Sequence, residues 1–123
     1  MTSVLIVDDE ESIRRSLAGI LSDEGYQTKS ASDGERALAQ LRSAASESEL
    51  PELVLLDIAM PGRDGIEVLE EIAHTWPDLP VVMMSGHGTI ETAVQAIKFG
   101  AYDFIEKPFK ADRMILIVRR AIE

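Results

Sequence analysis

The feature that most constrains the fold is a regular alternation of short apolar runs with segments of helical periodicity. Apolar runs of this length are typical of buried parallel strands, and each crossover between parallel strands needs a helix. Five such pairs predict a (βα)₅ α/β domain with helices on both faces of one sheet. The predicted strands lie near residues Val4–Val7, Tyr26–Ala31, Leu53–Leu56, Val81–Met84 and Tyr102–Ile105.

Local signals predict where several of the helices begin and end. Gly25 and Gly100 are expected to end helices, since glycine adopts the left-handed C-terminal conformation without steric cost. Asp64 is expected to be an N-cap, and Ser32 with Glu35 is expected to form a capping box. A final helix is predicted from about Ala111 to the end of the chain.

Composition excludes several classes of function. The 123 residues and the 46% hydrophobic content suit one domain with one core, and the net charge of −10 argues against binding to nucleic acid or to an anionic membrane. The absence of cysteine excludes disulfides and thiolate metal sites. Neither a membrane-spanning run nor a secretory signal is apparent, so we expect a soluble cytoplasmic module.

Polar side chains lie at the carboxyl ends of four predicted strands. Asp8 and Asp9 follow the first strand, Asp57 follows the third, Ser85 follows the fourth and Lys107 comes after the fifth. The carboxyl ends of parallel strands meet at one edge of the sheet, which is where α/β domains place their sites. We therefore expect these side chains to lie close together.

This set of side chains suits a magnesium site beside a phosphorylated aspartate. Mg²⁺ prefers hard oxygen ligands and retains several waters, so one or two carboxylates are enough. Asp9 and Asp57 are the expected direct ligands, with Asp8 holding a coordinated water and the Ala59 carbonyl adding an oxygen. Mn²⁺ is the alternative cation.

Asp57 is the predicted phosphoacceptor, because an aspartate can attack phosphorus directly. The metal and Lys107 would neutralise the phosphoryl oxygens, and the Ser85 hydroxyl would donate a hydrogen bond. The predicted catalytic set is therefore Asp57, Lys107 and Ser85.

Each residue taken alone has an ordinary structural alternative. An acidic pair at a strand end could cap the next helix, Asp57 and Ser85 could be turn residues, and Lys107 could be a surface charge. His87 has no second histidine at metal-ligand spacing, since His74 lies on another predicted helix. The joint occurrence at four strand ends favours the functional interpretation.

With these motifs the chain resembles the receiver domain of bacterial two-component response regulators, over essentially its whole length. The resemblance implies a flavodoxin-like sheet with strand order 2-1-3-4-5, bound magnesium, and phosphotransfer to Asp57 from a sensor histidine kinase. It also implies that Ser85 and Phe104 are a switch pair. The motifs that carry the resemblance are Asp8-Asp9-Glu10, residues 56–65, Ser85-Gly86-His87 and Lys107-Pro108-Phe109.

The segments 85–89 and 100–109 resemble more narrowly the receivers of nitrogen-regulation-type transcription activators. Such receivers precede an ATPase module and a DNA-binding module. The predicted last helix also runs to Glu123 without a C-cap. We therefore expect residues 1–123 to be the N-terminal receiver of a longer regulator.

Two other functions, and a stand-alone form of the switch, are alternatives for this sequence. An aspartyl phosphohydrolase of the haloacid-dehalogenase type needs a second acid two residues after the nucleophile, where this chain has Ala59. A flavodoxin-like cofactor binder is disfavoured because the acidic segment 8–11 repels phosphate. A stand-alone receiver acting by protein contact remains an alternative. As a switch, with or without further domains, this domain is expected to catalyse only its own phosphorylation and dephosphorylation.

Two structural features of the switch are expected near the phosphorylated aspartate. The Lys107-Pro108 peptide bond is expected to be cis, and Ser85 and Phe104 are expected to move together on phosphorylation.

The last helix and its neighbour are expected to form the output surface. Residues 114–118 are five consecutive apolar residues that point all round a helix axis, so part of them would remain in water. Arg113, Arg119, Arg120 and Glu91 could set a register by charge. The surface would form a homodimer or pack against a downstream helix, and the sequence favours neither.

Overall fold

The computed structural model describes residues 2–58, 64–86 and 90–123. Five parallel strands form one sheet in the order β2-β1-β3-β4-β5, which confirms the predicted fold and strand order. The strands are β1 (Ser3–Val7), β2 (Gln27–Ala31), β3 (Leu53–Asp57), β4 (Val81–Ser85) and β5 (Asp103–Glu106). The helices are α1 (Glu11–Asp23), α2 (Gly34–Arg42), α3 (Gly65–Thr75), α4 (Ile90–Lys98) and α5 (Ala111–Ile122), with a short 3₁₀ turn at Glu47–Glu49.

The three central strands explain the continuous apolar runs in the sequence. Every residue of β3 and β4 is buried, and so are the last four residues of β1. A strand covered by helices on both faces has no solvent-facing side chains, so its apolar residues do not alternate with polar ones. The edge strand β2 is largely exposed, and four of its five residues are polar for that reason.

Two hydrophobic clusters hold the helices on the sheet. Leu5, Leu56 and Met83 belong to the cluster on the side of α2, α3 and α4. Ile6 and Leu55 belong to the cluster on the side of α1 and α5. Each fully buried aliphatic side chain contributes about 1.5–3 kcal/mol relative to exposure, so these clusters fix the strand ends where the polar residues lie.

Most of the predicted helix ends are present. Gly25 and Gly100 have φ angles of 89° and 111°, and the Asp64 side chain accepts a hydrogen bond from the Ile66 N–H at 3.0 Å. The Ser32 capping box was wrong, because the N-cap of α2 is Asp33, whose carboxylate accepts from a backbone N–H at 2.8 Å.

The start of α2 depends on tertiary packing. Serine and aspartate are comparable N-caps, so the adjacent Ser32 and Asp33 offer two starting points to the chain. Gly34, the first residue of the helix, lies so close to Val68 of α3 that an added Cβ would come within 2.5 Å of its Cγ2. This close approach of α2 to α3 selects Asp33 as the cap.

Both α4 and α5 expose apolar side chains, but α5, on which the sequence predicted an exposed apolar surface, exposes less than α4. In α5 the side chains of Met114, Ile117 and Val118 are buried, whereas Leu116 is 42% exposed. The larger apolar surface lies on α4, where the exposed fractions are Ile90 86%, Val94 60% and Ile97 50%. Arg119, one of the charges expected to set a register between copies, forms an ion pair at 3.7 Å with Glu24, the residue directly after α1.

Among the described residues, none of the helices has the length and apolar character that crossing a membrane requires.

Candidate functional site

Backbone hydrogen bonds align the carboxyl ends of the strands at one edge of the sheet. The Ile58 N–H donates to the Met84 carbonyl at 2.9 Å, and the Lys107 N–H donates to the Ser85 carbonyl at 2.8 Å. The ladder thus continues one residue past the ends of β3 and β5. Asp57, Ser85 and Lys107 lie at this common edge for that reason.

Lys107 bridges two buried carboxylates from different strands. Its ammonium donates to Asp8 Oδ2 at 2.7 Å and lies 3.5 Å from Asp57 Oδ1. Asp8 is fully buried and Asp57 is 3% exposed, so the lysine is their counter-ion inside the protein. The Lys107-Pro108 peptide bond is cis, as predicted.

The balance of burial and charge raises the pKa of Lys107 above its usual 10.5. Burial by itself lowers that pKa, since it disfavours the charged amine. The hydrogen bond to Asp8 and the negative charges of Asp57 and Asp8 act in the opposite direction and outweigh burial. Lys107 is therefore a firmly held cation at neutral pH.

The two adjacent aspartates occupy different environments. Asp8 Oδ1 accepts from the Glu10 N–H at 2.9 Å, and Oδ2 is held by Lys107, so both of its carboxylate oxygens are engaged. Asp9 is exposed. The carboxylates of Asp8, Asp9 and Glu10 can bring one oxygen each within 4.8 Å of one another.

These residues fit a hard divalent cation. Carboxylate oxygens are the ligands that Mg²⁺ prefers, and Asp8, one of the three clustered acids, shares the Lys107 ammonium with Asp57. A dication removes much of the repulsion within such a group.

Sequence reasoning did not assign a role to Glu10. Its position directly after the acidic pair was the available signal, and the structure places its carboxylate within the group of three. Asp57 joins this group through Lys107, which contacts both Asp57 and Asp8. The predicted Ala59 ligand lies outside the described residues.

Ser85 and Phe104 lie on the same face of the sheet. Ser85 pairs with Glu106, and Met83 pairs with Phe104, so the two strands place Ser85 and Phe104 two residues apart along that face. Ser85 is buried, whereas Phe104 is partly buried against the cluster on the side of α2, α3 and α4.

A groove at the opposite end of the sheet is separate from these residues. It has a volume of about 740 Å³ and is lined by residues that precede β3, β4 and β5, including Pro51, Trp76, Pro80 and Tyr102. The cluster of acids and lysine is therefore the chemically distinctive part of the described structure.

Comparison with known proteins identifies the family of this chain. The sequence profile of the response regulator receiver domain matches residues 4–119. The chain belongs to the response regulator receiver family. It is 53% identical over 122 residues to the nitrogen assimilation regulatory protein NtrX of Azorhizobium caulinodans, a match that covers 98% of this receiver and 26% of that protein.

Solved structures agree with this assignment. The receiver domain of NtrX from Brucella abortus is 57% identical, with a TM-score of 0.88 and 97% of each chain covered. The beryllofluoride-activated NtrC4 receiver domain dimer is 40% identical, with a TM-score of 0.90, and covers 99% of this receiver and 97% of that chain. The receiver is thus of the NtrX and NtrC type, and it spans about a quarter of the length of the curated relatives it matches.

Proposed function

We propose that this receiver is a phosphorylation-driven signalling switch in the cytoplasm, with Asp57 as the phosphoacceptor and a sensor histidine kinase as the donor. The observation that carries the proposal is the contact of one lysine ammonium with two buried carboxylates, Asp8 at 2.7 Å and Asp57 at 3.5 Å. Buried charges of this kind are costly, and functional sites are where they concentrate.

The transfer follows from the position of each group. An Asp57 carboxylate oxygen forms a bond to phosphorus while the bond from phosphorus to the kinase histidine nitrogen breaks, and that nitrogen keeps the electron pair. Lys107 is placed to neutralise a phosphoryl oxygen, since it already lies within ion-pair distance of Asp57. The Ser85 hydroxyl, at the end of the neighbouring strand, is the proposed hydrogen-bond donor to the product.

Asp8, Asp9 and Asp57, with Glu10 nearby and the Ala59 carbonyl, are the proposed ligands of Mg²⁺ or Mn²⁺. The cation, when bound, would supply positive charge to the phosphoryl oxygens. Lys107 holds Asp8 in place, whereas the exposed Asp9 is accessible to an incoming ion.

We propose no enzymatic activity beyond the receiver's own phosphorylation and dephosphorylation. A general acid–base partner for turnover on other phosphate esters would be expected two residues after the acceptor, where this chain has Ala59.

The phosphoacceptor is tested by intact-mass measurement. Incubation with acetyl phosphate and Mg²⁺ is expected to add one phosphoryl group to the wild type and none to Asp57→Asn. The matched control is Asp112→Asn, which removes an exposed carboxylate from the first turn of α5. Phosphorylation of Asp57→Asn at the wild-type rate would contradict the assignment.

Signal output would begin at Ser85 and Phe104. A phosphoryl group on Asp57 offers acceptor oxygens to the Ser85 hydroxyl, and movement of Ser85 leaves room for the Phe104 ring to turn inward. Because Phe104 packs against the side of the sheet that α4 covers, that turn would change the position of α4.

The partner proposed for α4 is a second copy of this receiver. Its exposed Ile90, Val94 and Ile97 recur at spacings of four and three residues and form one apolar stripe. A related receiver, NtrC4, is described as a dimer when activated with beryllofluoride. Glu91 and Lys98 lie beside the stripe and carry opposite charges, which suits an isologous contact.

We also propose that the receiver controls further modules of a longer regulator. The relatives are about four times the length of this chain. Their names describe a regulatory protein of nitrogen assimilation and a transcriptional regulatory protein of C4-dicarboxylate transport. ATPase and DNA-binding modules are the proposed output, with DNA contact made outside this acidic domain.

A further inference from the structure

Arg14 of α1 contacts the backbone of the acidic site, and nothing in the proposed chemistry yet uses it. Its Nη1 donates to the Asp8 carbonyl oxygen at 2.6 Å, in a partly buried position. A charged donor at this distance forms a strong hydrogen bond. The side chain thus reaches back six residues, from the second turn of α1 to the end of β1.

With this contact, every polar group of Asp8 has a hydrogen-bond partner. Its N–H donates to the Ala31 carbonyl at 3.2 Å, and its carboxylate oxygens accept from the Glu10 N–H and from Lys107. The carbonyl was the remaining polar group, and Arg14 holds it. Both the backbone and the side chain of this buried residue are therefore held in place.

The N-cap side chain of α1 does not help to restrain the turn between β1 and α1. Glu10 is the N-cap residue of α1, and its side chain makes no capping hydrogen bond. This turn carries Asp8, Asp9 and Glu10, the three acids that come within 4.8 Å of one another. Like charges at this distance repel, so their approach needs a support outside the carboxylates themselves.

We propose that Arg14 is a positioning residue for the cation site: its guanidinium holds the Asp8 carbonyl and keeps the β1–α1 turn in the shape that receives a divalent ion. Because the contact is to a carbonyl, Arg14 itself occupies no carboxylate oxygen. The proposal rests on the function proposed above. In other metal sites, residues that hydrogen-bond to the ligands rather than to the metal have this role, and their loss weakens metal binding about 10- to 100-fold.

Arg15 is the matched control. It follows Arg14 directly and carries the same charge, but its side chain is 79% exposed and pairs with Glu11 of the same helix at 2.9 Å. Arg15→Met therefore removes the same charge at nearly the same place without touching Asp8. A difference between the two variants reports the hydrogen bond rather than the net charge.

The test titrates Mg²⁺ into the phosphoryl-free receiver, followed by backbone amide NMR signals, and measures amide hydrogen exchange without metal. Arg14→Met is expected to weaken Mg²⁺ binding about 10-fold and to accelerate exchange of the Glu10 amide, since that amide donates to Asp8. Arg15→Met is expected to match the wild type in both. Arg14→Lys, which retains one cationic donor, is expected to recover part of the affinity.

Two outcomes would overturn the inference, and they are distinguishable. Equal Mg²⁺ affinity and equal Glu10 exchange in Arg14→Met and Arg15→Met, with a wild type that binds Mg²⁺, would overturn the role of Arg14 alone. A wild type without saturable Mg²⁺ binding would overturn the proposed function together with it. If Arg14→Met does not fold, Arg14→Lys against Arg15→Lys makes the same comparison.

Discussion

The carboxyl edge of the sheet and the outward face of α4 are built in opposite ways. At the edge, charged groups are buried: Asp8 and Asp57 are nearly inaccessible and Lys107 lies between them. On α4, apolar groups are exposed, and Ala96 is its one buried residue. Both arrangements cost free energy in an isolated domain, because water favours charge outside and apolar surface inside.

The difference indicates which part of the molecule is fixed and which part can move. The carboxyl edge, called the acidic edge here because it carries Asp8 and Asp57, is anchored by three buried strands. Asp8 also accepts a hydrogen bond from Lys107 and donates one to the Ala31 carbonyl, and both residues are distant along the chain. Helix α4 rests on the sheet through few buried side chains, so a small change beneath it can shift its position. The proposed switch would need both properties, since its chemistry requires fixed geometry and its output requires a change of surface.

The largest expected loss of stability comes from an added methyl group beneath the acidic edge. At Gly65 a Cβ would lie 2.6 Å from Ile58 Cα and 2.7 Å from the Asp57 carbonyl, both of which are backbone atoms. Gly65→Ala is therefore expected to lower the free energy of unfolding by about 2–3 kcal/mol, as overpacking does. It is also expected to slow phosphorylation of Asp57. Urea denaturation measures the first effect.

Gly19→Ala is the control for this substitution. Gly19 lies within α1, and a Cβ there would meet nothing within 4 Å. The free energy of unfolding is expected to rise by about 0.5–1 kcal/mol, because alanine is the better helix former. If Gly65→Ala were as stable as Gly19→Ala, the backbone at the acidic edge would be able to shift, which would contradict the rigidity assigned to it relative to α4.

A smaller loss is expected when the internal counter-ion is removed. Lys107→Met leaves Asp8 and Asp57 without their cation and is expected to cost about 2 kcal/mol at neutral pH. The pKa of Lys107 is raised in the folded protein, so its stabilising effect is fully present below 10.5 and is lost as pH rises through the raised folded value. The difference between wild type and Lys107→Met should thus be constant up to about pH 10 and shrink above it.

Urea denaturation at several alkaline pH values checks this dependence. Lys110→Met is the control, because Lys110 is exposed three residues further along the chain. A difference between wild type and Lys107→Met that grows with pH would contradict the assigned direction of the pKa shift.

The smallest effect on stability is expected on α4. Val94→Glu replaces a side chain that is 60% exposed, so the free energy of unfolding should change by no more than about 0.5 kcal/mol. Sedimentation equilibrium with beryllofluoride and Mg²⁺ should nevertheless show a dimer for the wild type and a monomer for Val94→Glu. Gln27→Glu, the same charge change on β2 at the far edge of the sheet, should still dimerise. A wild type that stays monomeric at high concentration in both states would contradict the proposed partner.

Much of the site could be anticipated because strand ends are readable from sequence. The apolar runs end at Val7, Leu56 and Met84, and in parallel α/β sheets the residues that follow such runs meet at one edge. The start of α2 was assigned wrongly, since Ser32 and Asp33 are equally good caps and only the approach of α2 to α3 distinguishes them. The exposed stripe of α4 was not anticipated, because its apolar residues also suit a buried face.

The sequence by itself determined the fold class, the strand order through its family resemblance, and the group of residues at the sheet edge. These depend on local properties: apolar periodicity, glycine at helix ends and polar residues after strands. Only the tertiary structure decided how these residues are engaged. Lys107 and Asp8 are 99 positions apart along the chain, yet their side chains meet at 2.7 Å. Such contacts depend on how the strands and helices pack together, and that packing involves residues throughout the chain.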